Sequence, residues 1–205
     1  MKWKKDYLII LPICIVILNM ILVANGTMLT FDNWVHSKII HIDFLTNVLL
    51  FLTNFGSVLY IVGISILLLI FYKPKNELAN LYGVIIVSTI INNIIKFIFR
   101  RPRPELMYIA NLAIEKTYCF PSGHAMATMT FYGFLIYMIY KKEMNKSLKI
   151  TLISILSLLI FIVGFSRIYL YVHYFSDVFT GFLCSIIIIF FYNKFTKNIS
   201  FLNSK

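Results

Sequence analysis

Ile150-Thr151-Leu152-Ile153-Ser154-Ile155-Leu156-Ser157-Leu158-Leu159-Ile160-Phe161-Ile162-Val163-Gly164-Phe165 runs without a charge directly into Ser166-Arg167. A run of this length and composition is close to the roughly 17–25 residues that a helix needs to cross a bilayer core. Five further runs resemble it, and together the six cover residues 7–24, 48–72, 78–99, 122–140, 150–165 and 172–193. They are rich in Ile, Leu and Phe and do not alternate with polar residues, which disfavours the strand pattern of a membrane barrel. Only 13% of the 205 residues are charged, against roughly a quarter in a soluble domain. The expected fold is therefore an all-α membrane protein with six transmembrane helices, a single polytopic domain over residues 1–205 with no soluble module. The first run follows Lys2, Lys4 and Lys5 as a secretory signal would. Its apolar stretch is longer than a signal core, so a retained helix is expected.

A net charge of +11 could indicate a nucleic-acid partner, but the positions of the charges argue against one. Twelve lysines lie at 2, 4 and 5, at 73 and 75, at 141, 142, 146 and 149, and at 194, 197 and 205. With six spans, all four groups fall on one side of the membrane. The excess of Lys and Arg in cytoplasmic loops makes that side the inside, with both termini cytoplasmic. The seven other cations are Lys38, Lys96, Arg100, Arg101, Arg103, Lys116 and Arg167. They lie at or near the opposite face, where orientation gives no reason for them. Cys14 and Cys184 fall within spans and Cys119 in an outer loop, without zinc-ligand spacing, so they read as incidental thiols.

Three stretches occupy that outer side. Lys96-Phe97-Ile98-Phe99-Arg100-Arg101-Pro102-Arg103-Pro104 ends the third span, and its prolines stop the helix. Taken alone it is either a basic cluster snorkelling to headgroups or an anion clamp, since Arg matches phosphate oxygens with a bidentate fork. Phe120-Pro121-Ser122-Gly123-His124-Ala125 opens the fourth span, with Ser122 an acceptable N-cap. A helix amino end beside a glycine is a ready anion site, although the same residues can serve only to start a helix. Ser166-Arg167-Ile168-Tyr169-Leu170-Tyr171-Val172-His173-Tyr174-Phe175-Ser176-Asp177 joins the last two spans. His173 and Asp177, four apart, share one face if the segment is helical. A carboxylate on one ring nitrogen fixes the tautomer and leaves the other nitrogen as a nucleophile or base. That pair could also be structural, but an ionisable pair at membrane depth is by default a functional hypothesis. Convergence of all three stretches on one face favours a single site.

Taken in order and at full spacing, Lys96…Arg103-Pro104, Pro121-Ser122-Gly123-His124 and Ser166-Arg167…His173…Asp177 resemble the signature of the type 2 phosphatidic acid phosphatase family of membrane lipid phosphatases. The resemblance covers about residues 45–193. It implies hydrolysis of a lipid phosphate mono- or diphosphate ester in two steps. His173, oriented by Asp177, would attack phosphorus and form a phosphohistidine, and His124 would protonate the leaving oxygen. Lys96, Arg103 and Arg167 would hold the equatorial oxygens, with Ser122 and the N–H groups near Gly123. No metal and no other cofactor is implied. The partners are the lipid phosphate and the bilayer, with no nucleic acid, and the oligomeric state is left open. The resemblance also implies a multi-pass protein of a bacterial cell membrane with its site extracytoplasmic. Phosphatidylglycerophosphate, phosphatidate and undecaprenyl pyrophosphate are the candidate substrates.

Tyr171 and Phe175 stand where many relatives carry glycine and proline. Arg101-Pro102 is a second Arg-Pro, offset by two, which makes Arg101 a candidate ligand for a second phosphate or a headgroup. The segment 25–44, with Trp34, Ile39 and Ile42, is either an interfacial helix or a connecting loop. Two other classes compete: a transporter or channel with a basic outer vestibule, and a silent lipid-binding relative. Charge-free span interiors weigh against the first and the complete signature against the second. The soluble vanadium haloperoxidases share such a site, but six spans argue against that chemistry.

Overall fold

The computed structural model describes residues 7–73, 75–104 and 118–202. Lys116, one of the seven outer cations, lies outside the described residues. Among the described residues eight α-helices follow one another: α1 (Ile10–Ala24), α2 (Met28–Ser37), α3 (Asp43–Thr53), α4 (Val58–Phe71), α5 (Lys75–Phe99), α6 (Gly123–Lys141), α7 (Lys146–Tyr169) and α8 (Phe175–Leu202). No strand occurs among the described residues.

The helices are arranged around α6, which packs on α5, α7 and α8. Its buried side chains include Met126, Phe131, Tyr132 and Phe134 along with Thr128 and Thr130. Outer helices turn the other way, and Leu11, Leu59, Phe97 and Phe161 are exposed. Exposed apolar area of this extent is stable against lipid rather than water. Where apolar burial gives helices no special reason to associate, small polar side chains bond them instead. Ser88 of α5 meets Thr130 of α6 at 2.8 Å, and Thr130 donates to Ser185 of α8 at 3.0 Å. Asn19 ties α1 to α8 by donating to the Ser176 carbonyl at 3.2 Å and to Thr180.

Among the described residues four helices are long and apolar enough to cross a membrane: Tyr7–Ala24, Lys75–Phe99, Lys146–Tyr169 and Phe175–Thr196. The expected second span, 48–72, is instead two helices. Asp43–Gly56 and Val58–Phe71 meet at a bend of 56°, and as one broken span they make a fifth. The expected fourth span corresponds to α6, which is not among the four. Enclosed by its neighbours, α6 carries threonines and tyrosines that a lipid-facing helix would not. The last span begins at Phe175, so residues 172–174 belong to the preceding turn.

The segment 25–44 resolves into α2 and a short link to α3, the helical alternative of the two. The two ends of the bundle differ in chemistry. At one end the α4–α5 and α6–α7 connections meet, with Lys142 over the Tyr72 ring at 4.6 Å. The other end gathers the end of α5, the start of α6, the end of α7 and the start of α8.

Candidate functional site

The turn between α7 and α8 is built on Arg167. Its carbonyl accepts from the amides of Val172, at 3.2 Å, and His173, at 3.1 Å. Tyr171 takes the left-handed conformation, φ 54°, that reverses the chain. His173 is therefore held in the turn, not on α8, contrary to the expectation that one helix face carries both residues of the pair. The contact with Asp177 forms all the same, with His173 Nδ1 3.4 Å from Asp177 Oδ2. That oxygen also accepts from the Tyr174 amide at 3.0 Å, and both His173 and Asp177 are fully buried.

Ser122 caps α6, accepting from the Ala125 amide at 3.4 Å. Its own amide donates to the Asp177 carbonyl at 3.0 Å, which joins the second stretch to the third. The first stretch joins both. Arg103 Nη1 donates to the Val172 carbonyl at 2.9 Å. The buried Lys96 stem passes Gly123, and its ammonium donates to the Tyr118 carbonyl. A Cβ at Gly123 would lie 3.5 Å from Asn92 Oδ1 and 4.0 Å from Lys96 Cε, ordinary contact distances that place both side chains against the amino end of α6. Arg167, also buried, donates to Thr53 Oγ1 at 3.1 Å and so reaches the end of α3. His124 is half-buried beside Gly56 and lines a cavity of about 310 Å³ with Asn92, Gly123 and Thr130. Chemically, three cations near a helix amino end favour an anion. A histidine with a carboxylate on one ring nitrogen can act through the other. Among the described residues no three His, Cys, Asp or Glu side chains are grouped to hold a metal ion.

Arg101 is engaged otherwise than the sequence suggested. Its guanidinium bonds Asp177 Oδ1 at 2.6 Å, Asp32 Oδ2 at 2.7 Å and Ser176 Oγ at 2.7 Å, and lies over the Tyr174 ring at 4.2 Å. Burial pulls its pKa down, but Asp177 and Asp32 outweigh that and raise it. Arg100, exposed, rests its guanidinium on the Phe97 ring at 4.7 Å.

Sequence reasoning missed Asp32 and His36, both buried on α2. His36 Nε2 donates to the His173 carbonyl at 3.3 Å, and its ring lies 4.4 Å from that of Tyr171. Burial holds the His36 pKa below the ordinary imidazole value, against opposing pulls from that carbonyl and from Asp32. The available signal was sparse: a carboxylate in a chain with only eight acids, placed among Phe31, Trp34 and Val35. A cavity of about 730 Å³ opens between α2 and the Arg101–Pro104 segment, with His36, Arg103 and Tyr171 in its wall.

The family model of the PAP2 superfamily matches residues 77–200. Phosphatidylglycerophosphatase B of Bacillus subtilis (strain 168) is 27% identical over 160 residues, which are 76% of this chain and 77% of that protein. The crystal structure of the first transmembrane PAP2-type phosphatidylglycerolphosphate phosphatase from Bacillus subtilis superposes with a TM-score of 0.78 at 23% identity, over 92% of this chain and 96% of that one. The structure of Aquifex aeolicus LpxE gives 0.61 at 24% identity, over 81% and 94%. At these identities the two structures speak to the fold.

Proposed function

The chain belongs to the PAP2 superfamily, and from that premise we propose that it is an integral-membrane phosphatase acting on the phosphate ester of a lipid. One observation carries the reading: the three stretches meet at one end of the bundle around the Asp177–His173 pair, joined by Ser122 to Asp177 and by Arg103 to Val172. In the proposed reaction His173, its tautomer set by Asp177, attacks phosphorus and forms a phosphohistidine. His124 protonates the departing oxygen, and water then attacks phosphorus to release phosphate and regenerate His173. Lys96, Arg103 and Arg167 balance the charge on the equatorial oxygens, with Ser122 and the amide groups near Gly123. Phosphoryl transfer needs mainly such positioning and charge stabilisation, so the chemistry is proposed to run without a metal.

The substrate proposed first is phosphatidylglycerophosphate, by similarity to phosphatidylglycerophosphatase B of Bacillus subtilis. The bonds from Arg101 to two carboxylates support a monophosphate over a diphosphate, because that cation is already balanced. The site is proposed to face outward, with six crossings of the cell membrane.

The test is phosphate release by the purified protein from phosphatidylglycerophosphate, phosphatidate and undecaprenyl pyrophosphate. The expected order puts phosphatidylglycerophosphate first, with a bell-shaped pH profile, because His173 must start neutral and His124 charged. His173→Ala is expected to lower kcat by more than about 10³-fold and to abolish a trapped phosphoenzyme. Full activity in that variant, or loss of wild-type activity to a chelator, would sink the mechanism.

A further inference from the structure

Asp32 belongs to none of the three stretches, yet its carboxylate is completely buried and bonds Ser176 of the third stretch and Arg101 of the first. Oδ1 accepts from the Ser176 amide at 2.9 Å. Oδ2 accepts from Ser176 Oγ at 2.6 Å and from Arg101 at 2.7 Å. Arg101 in turn holds Asp177 Oδ1 at 2.6 Å, on the carboxylate whose other oxygen faces His173. The result is a chain of alternating charge, Asp32–Arg101–Asp177, that ends on the imidazole.

We propose that Asp32 and Arg101 are positioning residues for the Asp177–His173 pair, fixing the Asp177 carboxylate and setting the charge under which His173 takes up or gives up a proton. This rests on the reading of His173 as the nucleophile. Asp177 without a donor on Oδ1 could rotate away from the ring, and buried ion pairs are held only where each lone pair finds such a partner.

The other groups facing the pair can be named. From α2, His36 reaches the His173 carbonyl, and burial keeps it neutral at ordinary pH. From the segment before α6, the Cys119 thiol lies by Asp177, and burial pushes its pKa up, so it too is neutral. Arg103 reaches the carbonyl of Val172, and Arg167 receives the His173 amide on its own carbonyl. Tyr174 lends Asp177 its amide and stacks beneath Arg101. Among the described groups, then, Asp32 and Arg101 form the charged pair bonded outward from Asp177.

The sign of the effect follows. Removing the Asp32 charge leaves Arg101 less balanced, so the pair takes up its proton at lower pH. Removing the Arg101 charge leaves Asp177, and Asp32 behind it, without their cation, so the pair takes up its proton at higher pH. Because the proton belongs to the coupled pair, both directions hold whichever member carries it.

The experiment measures kcat and KM against pH on one lipid substrate for the wild type, Asp32→Asn, Arg101→Gln and the double variant. Thermal melting of each serves as a check of folding. In Asp32→Asn the acidic limb of kcat/KM is expected to move down by roughly half to one pH unit, and in Arg101→Gln to move up by a similar amount. The double variant is expected to return near the wild-type position. At the optimum, kcat should fall by up to about 10²-fold as the nucleophile loses its aim, with KM little changed. A merely structural pair would lower melting temperature without moving the limbs in opposite senses.

Unmoved limbs, or limbs that move together, in folded variants overturn the inference. If Arg101→Gln fails to fold with two carboxylates stranded, Asp32→Asn decides alone, since there Arg101 keeps Asp177. An inert His173→Ala beside an unmoved Asp32→Asn limb overturns the inference only. Activity surviving in His173→Ala overturns the catalytic reading and the inference with it.

Discussion

Tyr171 holds a left-handed backbone, φ 54°, at the point where α7 gives way to the turn that carries His173. For a residue with a side chain that conformation costs about 1–2 kcal/mol, which glycine avoids. This chain bears that cost at Tyr171, and the side chain supplies the compensation. The Tyr171 hydroxyl donates to the His36 carbonyl at 2.8 Å, and its ring packs tilted against that of His36 and stacks on that of His41. Tyr171 thus fastens α2 over the turn that carries His173. Two truncations separate the terms. Tyr171→Ala loses the fastening and keeps the strain, whereas Tyr171→Gly loses the fastening and relieves it. The glycine variant is expected to be the more stable of the two by about 1 kcal/mol in denaturation of the detergent-solubilised protein. An alanine variant as stable as the glycine one would show that the turn is not strained. Spacing along the chain singled out His173 and Asp177 because their partners are local. Asp32 was invisible by the same logic, since its partner Ser176 is 144 residues away and only the packing of α2 brings them together.

The broken span α3–α4 shows what hydropathy cannot read. Apolar runs report how much chain a bilayer will accept, and a bend leaves that sum unchanged. The break at Asn54–Gly56 frees backbone groups that lipid cannot satisfy, so each needs a partner in the protein. Asn54 Nδ2 donates back to the Leu50 carbonyl at 3.1 Å, and Tyr132 of α6 donates to the Phe55 carbonyl at 3.1 Å. Gly56 allows the approach. A Cβ there would lie 2.6 Å from Thr128 Oγ1 and 2.7 Å from Val163 Cγ1, on the two helices that flank the break, and 3.3 Å from the His124 ring. These are short side chains on packed helices, with little room to yield. Gly56→Ala is therefore expected to destabilise the protein by about 1–3 kcal/mol, as overpacking of a core does. It should also reduce kcat by displacing His124, measured as phosphate release beside a melting curve. An unchanged melting point would mean that the break rests on α6 and α7 more loosely than these distances require. The start of α6 was legible in advance because its signal is local: Ser122 as cap, with Gly123 the first helical residue. The break was not legible, since its cause lies on α6 and α7.

At the scale of the whole molecule, charge divides the two ends of the bundle. α5 runs from Lys75 at one end to Lys96 at the other, and the two lysines answer to different forces. Lys75 shares its end with Lys73, Lys141, Lys142, Lys146 and Lys149, in connections that meet where Lys142 covers the Tyr72 ring. Exposed lysines of this kind orient a membrane protein, with their end inside. Lys96 shares its end with Arg101, Arg103 and Arg167, which are held by bonds to carbonyls, carboxylates and Thr53. Cations bonded in that way are engaged by the protein itself, so they are a poor guide to orientation. The Lys75 end is thus expected in the cytoplasm and the Lys96 end outside. Single cysteines read this directly, in a background where Cys14, Cys119 and Cys184 are replaced. Lys38→Cys, at the end of α2 beside the site, should react with a membrane-impermeant maleimide on intact cells. Glu143→Cys, in the α6–α7 connection, should react only after permeabilisation. The reverse pattern would place the site inside and overturn the orientation. It would leave the fold untouched, because packing around α6 does not depend on which way the molecule faces.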